Sequence, residues 1–154
     1  MDINLTKKEF YKRIYNIKRF KFVKSVLKSN MQHKNTSTYK HARNVAYNSF
    51  VLAKKLEKRY NLKFNYDELV EAAYLHDFCL YDWHTKDKRH RLHGFRHPKI
   101  AAETAKNICG INKAEQDMIK THMWPLTITK IPKSKEALLI SVVDKAQAIK
   151  EIIK

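Results

Sequence analysis

Glycine and proline are scarce, with only two glycines and three prolines in 154 residues. Proteins built from many short β-strands need tight turns, and these turns usually contain glycine or proline. The scarcity therefore argues against an all-β protein. The chain length suits one domain, because about 150 residues can bury roughly two-thirds of the unfolded surface. We predict a single, mostly helical, all-α domain.

Cysteines are few, and long apolar runs are missing. Cys79 and Cys109 lie within apolar helical patterns and lack the CxxC spacing of redox and zinc motifs. We interpret them as buried free thiols in a reducing cytoplasm. No apolar run approaches the roughly 20 residues that cross a bilayer, and the first residues, acidic and then lysine-rich, do not resemble a signal peptide. The sequence predicts a cytoplasmic protein without a membrane partner.

Acidic residues are rare in the first part of the chain. Residues 1–63 carry 17 Lys and Arg against 3 Asp and Glu, and the net charge of the whole chain is +17. Such a basic segment favours anionic partners: nucleic acid, nucleotides or phosphorylated metabolites. An A/T-rich coding bias would also enrich Lys, Asn and Ile together and leave solvated lysines without a function. Composition supports the two interpretations equally.

Capping residues and apolar periodicity divide the chain into about six helices. We predict helices over residues 6–30, 39–60, from 65 through the His76-Asp77 pair, 97–110, 113–123, and 134 to the C-terminus. A polar, histidine-rich loop occupies residues 81–96, and a loop of this length is usually functional or mobile. We expect the basic N-terminal segment, residues 1–35, to pack on a helical domain formed by residues 36–154.

Four polar side chains fall on otherwise apolar helix faces: His41, His76, Asp77 and Asp144. One histidine on such a face is usually a core residue with a hydrogen-bond partner, and one aspartate is often a cap or half of an ion pair. Four together are harder to explain separately, since an unpaired buried charge costs several kcal/mol. Imidazole nitrogen and carboxylate oxygen together suit Fe, Mn, Zn, Ni or Co better than Mg.

The order of these residues resembles that of the HD superfamily of metal-dependent phosphohydrolases. The family pattern is a histidine, an adjacent His-Asp pair and a distant aspartate, all on helices. The matching strings are YKHARNVA at residues 39–46, AAYLHD at 72–77 and SVVDKA at 141–146. The resemblance covers roughly residues 36–150. It implies an HD-type helical domain in which His41, His76, Asp77 and Asp144 bind a divalent metal.

Family members that hold two metals supply two further histidines between the pair and the last aspartate. His97 and His122 are the matching candidates, and Asp77 would then bridge the ions. His97 could instead be an N-cap residue, and His122 a helix-end residue favoured by the helix dipole. His93 is a second choice for the position given to His97. We favour two ions over one.

The resemblance also implies the reaction and the residues that carry it. A metal-bound hydroxide would attack the phosphorus of a phosphate ester or anhydride, in a nucleotide or another small phosphorylated metabolite. His76 and Asp77 are the expected catalytic residues. Lys86, Arg91 and Arg96 are candidates for binding the substrate phosphate, although each taken singly is more often an exposed charge without a role.

Other enzyme classes lack support. The sequence has neither a glycine-rich phosphate-binding loop nor the G-x-S-x-G motif of serine hydrolases. The alternative function is a nucleic-acid-binding module that keeps the HD scaffold for structural reasons. The sequence leaves the substrate, the native metal and the oligomeric state open.

Overall fold

The all-α prediction is confirmed by the computed structural model, which describes residues 2–33, 36–80 and 93–153, without the side chains of His33 and His93. Within these ranges the chain forms seven helices and one small antiparallel sheet. The helices are α1 (Ile3–Asn16), α2 (Phe20–Ser29), α3 (Thr38–Tyr60), α4 (Tyr66–Leu75), α5 (His93–Cys109), α6 (Lys113–Thr121) and α7 (Lys135–Ile153); the strands are β1 (Met31–His33) and β2 (Thr36–Ser37).

The predicted N-terminal helix is two helices, α1 and α2. The break follows Ile17, and Arg19 adopts a left-handed backbone conformation with φ of 58°. An unbroken helix would place Lys21 in line with the buried apolar residues of α1. The break changes the phase of the chain, so that Val23 and Leu27 become fully buried instead. Burial of apolar side chains therefore decides where the basic segment divides.

The start of α1 also differs from the prediction. Its N-cap is Asp2, whose carboxylate accepts hydrogen bonds from the backbone N–H groups of Asn4 and Leu5. Thr6, the predicted cap, lies within the first turns, where its hydroxyl donates to the carbonyl of Asp2. An aspartate at the N-terminus satisfies two free donors and complements the positive end of the helix dipole.

Other helix ends agree with the capping signals. The side chain of Ser37 caps α3, and that of Asn65 caps α4. Asn112 and Glu115 form a complete capping box at the start of α6. Gly110 follows α5 with φ of 74°, a conformation that a residue with a Cβ adopts only with strain.

The segments around the histidines differ from the predicted helix bounds. Helix α4 ends at Leu75, so His76 and Asp77 lie in the turn that follows it, and Leu80 is exposed instead of core-facing. Helix α5 begins at residue 93, inside the predicted loop, and Pro98 lies within it. His97 is therefore not an N-cap residue.

The central helix of the described fold is α3, which packs against α2, α4 and α7, while α6 packs against α4, α5 and α7. These contacts bring the first turn of α3, the ends of α4 and α6, the first half of α5 and the middle of α7 to one place. Cys79 and Cys109 are buried thiols. Among the described helices, none combines the length and hydropathy needed to cross a bilayer. The predicted division of the chain into a basic N-terminal segment, residues 1–35, and a helical domain, residues 36–154, stays a prediction.

Candidate metal centre

The six predicted ligand residues lie together in the interior. Five of them have an exposed fraction of 6% or less, and the side chain of Asp77 is 10% exposed. Each comes from a separate part of the fold, except for the adjacent pair after α4. They are His41 from α3, His76 and Asp77 after α4, His97 from α5, His122 at the end of α6, and Asp144 from α7.

Two of the histidines are oriented by the same local arrangement at a helix end. Nδ1 of His76 lies 2.7 Å from the carbonyl oxygen of Ala73, and Nδ1 of His122 lies 2.7 Å from that of Ile119. Carbonyl groups in the last turn lack partners within the helix and can only accept. Nδ1 therefore carries the proton in both rings, and each Nε2 faces the centre.

The two carboxylate oxygens of Asp77 face different histidines. Oδ2 lies 3.2 Å from Nε2 of His76 and 3.9 Å from Nε2 of His41. Oδ1 lies 3.2 Å from Nε2 of His97 and 3.6 Å from Nε2 of His122. Asp77 thus divides the cluster into two halves and belongs to both. The first half contains His41 and His76, and the second half contains His97 and His122.

Asp144 completes the first half. Its Oδ1 lies 2.9 Å from Nε2 of His41 and 3.4 Å from Nε2 of His76. Its Oδ2 accepts from the ammonium group of Lys145 at 2.8 Å, and the same group donates to the carbonyl of His122 at 2.8 Å. Lys145 therefore links the Asp144 carboxylate of the first half to the backbone carbonyl of His122 in the second half.

The charges in the first half stabilise one another. Burial lowers the pKa of His41, but its hydrogen bonds to Asp144 and Glu151 raise that pKa to about 9. Burial also opposes the charge on His76, yet the neighbouring Asp77 carboxylate raises its pKa well above the usual value. Conversely, burial would raise the pKa of Asp77 and Asp144, and the nearby imidazolium groups hold both well below the ordinary value.

The second half has a different electrostatic character. Burial, together with the neighbouring imidazole rings of His76 and His97, lowers the pKa of His122 to about 3. His122 is therefore neutral at physiological pH, with its proton on Nδ1. Its Nε2, 2.9 Å from Nε2 of His97, presents a lone pair to the centre. A neutral imidazole with this orientation is the form that binds metal ions.

The donor set fits a metal. Nε2 of His76 is buried and has two carboxylate oxygens at 3.2 and 3.4 Å, but neither contact has the geometry of a hydrogen bond. A buried polar atom without a well-formed bond costs free energy, and a bound metal would supply one. Ligands that share an ion at about 2.0–2.2 Å stand roughly 3–4 Å apart, as these atoms do. Among the described residues, three groups have ligand atoms all within 4.8 Å of one another: His41, His76 and Asp77; His76, His122 and Asp144; Asp77, His97 and His122.

Three further residues support the cluster, and the sequence prediction did not include them. Glu151 accepts from Nδ1 of His41 at 2.9 Å, and Gln32 on β1 donates to Oδ2 of Asp77 at 2.8 Å. Lys145 is the third. Glu151 follows Asp144 by seven residues, two turns along one face of α7, so helical spacing could have indicated it. Gln32 lies in a short strand and gives no such signal.

The structure describes only one of the three predicted substrate-binding residues. Lys86 and Arg91 lie outside the described residues. Arg96 is described, and its exposed side chain lines a pocket of about 580 Å³ on α5 and α6. The other basic residues that line this pocket are Lys99, Lys120 and Lys130.

The comparisons with known proteins bear on the same residues. A family model described as HD domain matches residues 38–149, a span that contains all six residues of the cluster. The match confirms the resemblance drawn from the motifs. Neither the curated proteins nor the solved structures gave a match to the chain.

Proposed function

We propose a function on the premise that the chain belongs to the HD domain family. The protein is a metal-dependent phosphohydrolase that cleaves a phosphate ester or anhydride. The observation that carries this proposal is the division of the Asp77 carboxylate, whose two oxygens face separate histidine pairs. A carboxylate in that position can hold two cations at once.

The ligands fall into two sets. We assign His41, His76, Asp144 and Oδ2 of Asp77 to one ion, and His97, His122 and Oδ1 of Asp77 to a second. Each set mixes imidazole nitrogen with carboxylate oxygen, which suits Fe, Mn, Zn, Ni or Co. The second set has fewer protein ligands and leaves more room for substrate.

The chain's own residues prepare the site for phosphoryl chemistry. Divalent ions, when bound, lower the pKa of a coordinated water and polarise phosphoryl oxygens. Asp77 fixes the spacing between the two sets of ligands. Lys145 holds Asp144 through one oxygen and leaves Oδ1 directed at the histidines. Gln32 holds Oδ2 of Asp77 in the same way.

The substrate class is supported by the basic pocket on α5, the helix that supplies His97. Arg96 and Pro98 flank His97 in sequence and line this pocket, which is large enough for a nucleotide. The exposed ring of Phe95 offers a surface on which a base can stack. We therefore propose a nucleotide or another small phosphorylated metabolite as the substrate, with Arg96 contacting phosphate.

Hydrolysis assays with an Asp77→Ala variant test the function. Wild-type protein loaded with each candidate metal should release phosphate from a panel of nucleotides and simple phosphate esters, and the variant should release none. Asp67→Ala is a matched control, because Asp67 is an exposed aspartate at the start of α4, at the opposite end of that helix from Asp77. Full activity in Asp77→Ala, or no activity of the wild-type protein with any substrate and metal, would contradict the proposal.

The alternative is a protein that retains this scaffold only to bind nucleic acid. A scaffold of that kind has no need of a complete ligand set, whereas all six ligand positions here carry a metal-binding side chain. Their common burial supports the hydrolase over the alternative.

A further inference from the structure

A basic groove lies on the N-terminal helices, and none of the six ligand residues is among the residues that line it. It has a volume of about 960 Å³ and is lined by residues from the end of α1 and from α2. Four of its residues are cationic: Arg19, Lys21, Lys24 and Lys28. Among the residues that the structure describes, no acidic residue lines the groove, and none occurs in the sequence between Glu9 and Glu57.

Three cations meet over one aromatic ring at the edge of this groove. The ammonium groups of Lys24 and Lys28 both lie 5.5 Å from the centre of the Tyr39 ring, and the guanidinium of Arg43 lies 5.8 Å from it. The ring face attracts each cation, but the cations repel one another. None of the three forms an ion pair with a described carboxylate.

Other cations of the same region are already paired inside the protein. Arg13 lies 2.9 Å from the carboxylate of Asp67, and Lys54 contacts Glu9. The groove lysines therefore differ from their neighbours, because their positive charge stays unbalanced. A bound anion would relieve the repulsion between them.

Exposed aromatic rings accompany these charges. Tyr15 is 62% exposed and Phe22 is 46% exposed, and both line the groove. The ring of Tyr15 also stacks on that of Tyr11, at 5.8 Å between centres and 22° between planes. Aromatic faces next to a row of cations are the pattern by which proteins bind single-stranded nucleic acid, with bases on the rings and phosphates on the cations.

We propose that this groove binds a single strand of RNA or DNA. Arg19, Lys21, Lys24 and Lys28 contact successive phosphates, and Phe22 and Tyr15 stack on bases. The site is separate from the proposed hydrolase centre, since its residues include no metal ligand. An anionic membrane fits less well, because the apolar residues Val23 and Leu27 of α2 face the core, which leaves no continuous apolar face to enter lipid.

Fluorescence anisotropy with the full chain and a labelled single strand of about 20 nucleotides tests the proposal. The triple variant Lys21→Gln, Lys24→Gln, Lys28→Gln should bind at least tenfold more weakly. The logarithm of the association constant falls linearly with the logarithm of the salt concentration, and the variant should make this slope less steep by about 2. Each lost phosphate contact accounts for roughly 0.7 of that change. Phe22→Ala should weaken binding about fivefold or more without changing that slope.

The matched control removes the same charge elsewhere. Lys55, Lys58 and Lys63 are exposed near the far end of α3, roughly 24 Å or more along the helix from Tyr39. Their triple glutamine variant should bind almost as tightly as the wild type. Equal losses in both triple variants would overturn the proposal, as would unchanged affinity in Phe22→Ala. Binding to phosphatidylserine vesicles but not to single strands would overturn it too.

Discussion

The proton on Nδ1 of each histidine determines which ring nitrogen faces the candidate metal centre. His76 and His122 each donate this proton to a carbonyl at the end of their own helix. His41 lies in the first turn of α3, where no such carbonyl is free, and a carboxylate of α7 accepts instead. Glu151 is therefore a positioning residue: it turns Nε2 of His41 towards Asp144 and the centre.

Substitution of Glu151 should weaken metal binding without unfolding the protein. We expect Glu151→Ala to lower metal affinity by about 10–100-fold, measured by competition with a chelator. Glu151→Gln should recover part of the loss, because an amide oxygen still accepts from Nδ1. Glu103→Ala, at an exposed carboxylate, is the control. Wild-type affinity in Glu151→Ala, or no recovery in Glu151→Gln, would contradict this role.

Helical periodicity indicated His41, His76, Asp77 and Asp144, because it placed polar side chains on apolar faces. His97 and His122 were indicated only by the resemblance to the family. Gln32 could not be predicted, because a contact between a short strand and the turn after α4 depends on tertiary packing alone. The substrate-binding roles of Lys86 and Arg91, within residues 81–92, stay predictions from the sequence.

At the scale of helices, several boundaries followed from local signals and others did not. Asn112 and Glu115 predicted the start of α6, because a capping box depends only on residues that are close in sequence. The break between α1 and α2 has neither glycine nor proline. Its only signal is that the apolar stripe loses its phase after Ile17, where Lys21 takes the place of a core residue. Likewise, a proline often occupies the first turn of a helix, so Pro98 predicted a start near residue 97, but α5 begins at residue 93.

Helices α4 and α6 meet at a pair of carboxyl groups that should make stability depend on pH. Burial and the nearby Glu115 carboxylate raise the pKa of Glu71 from 4.5 to about 7. The folded protein thus holds this proton more tightly than the unfolded chain does. As pH rises from about 4.5 to about 7, the unfolded chain loses the proton first, and the free energy of unfolding falls.

Glu71→Gln should remove this fall in the free energy of unfolding, because glutamine does not titrate. Near neutral pH and above, we expect the variant to be more stable than the wild type by about 1 kcal/mol, a value reduced from the full shift because the pair is partly exposed to solvent. At the acidic end of the range the two proteins should be equal. Urea unfolding at a series of pH values measures the difference. Identical profiles for wild type and variant would contradict the assignment, and Glu103→Gln should leave the profile unchanged.

At the scale of the whole molecule, the net charge of +17 opposes folding through repulsion among like charges. Few cations are balanced by ion pairs among the described residues, the pairs of Arg13 and Lys54 being two of them. Screening should therefore relieve more repulsion than attraction. We expect sodium chloride, raised from low to physiological concentration, to increase Tm by about 2–4 °C.

A thermal melt across a chloride series measures this effect. The triple variant of Lys21, Lys24 and Lys28 should gain less from added salt than the wild type, because it carries less charge to screen. A Tm that stays constant or falls with salt would contradict the view that repulsion dominates.

The metal content of the purified protein tests the central claim most directly. After incubation with each candidate divalent metal and removal of the excess, elemental analysis should find about two equivalents in the wild type. We expect about one in the double variant His97→Ala, His122→Ala, which keeps the first set of ligands, and close to none in Asp77→Ala, which damages both. No bound metal in the wild type, or two full equivalents in Asp77→Ala, would contradict the account.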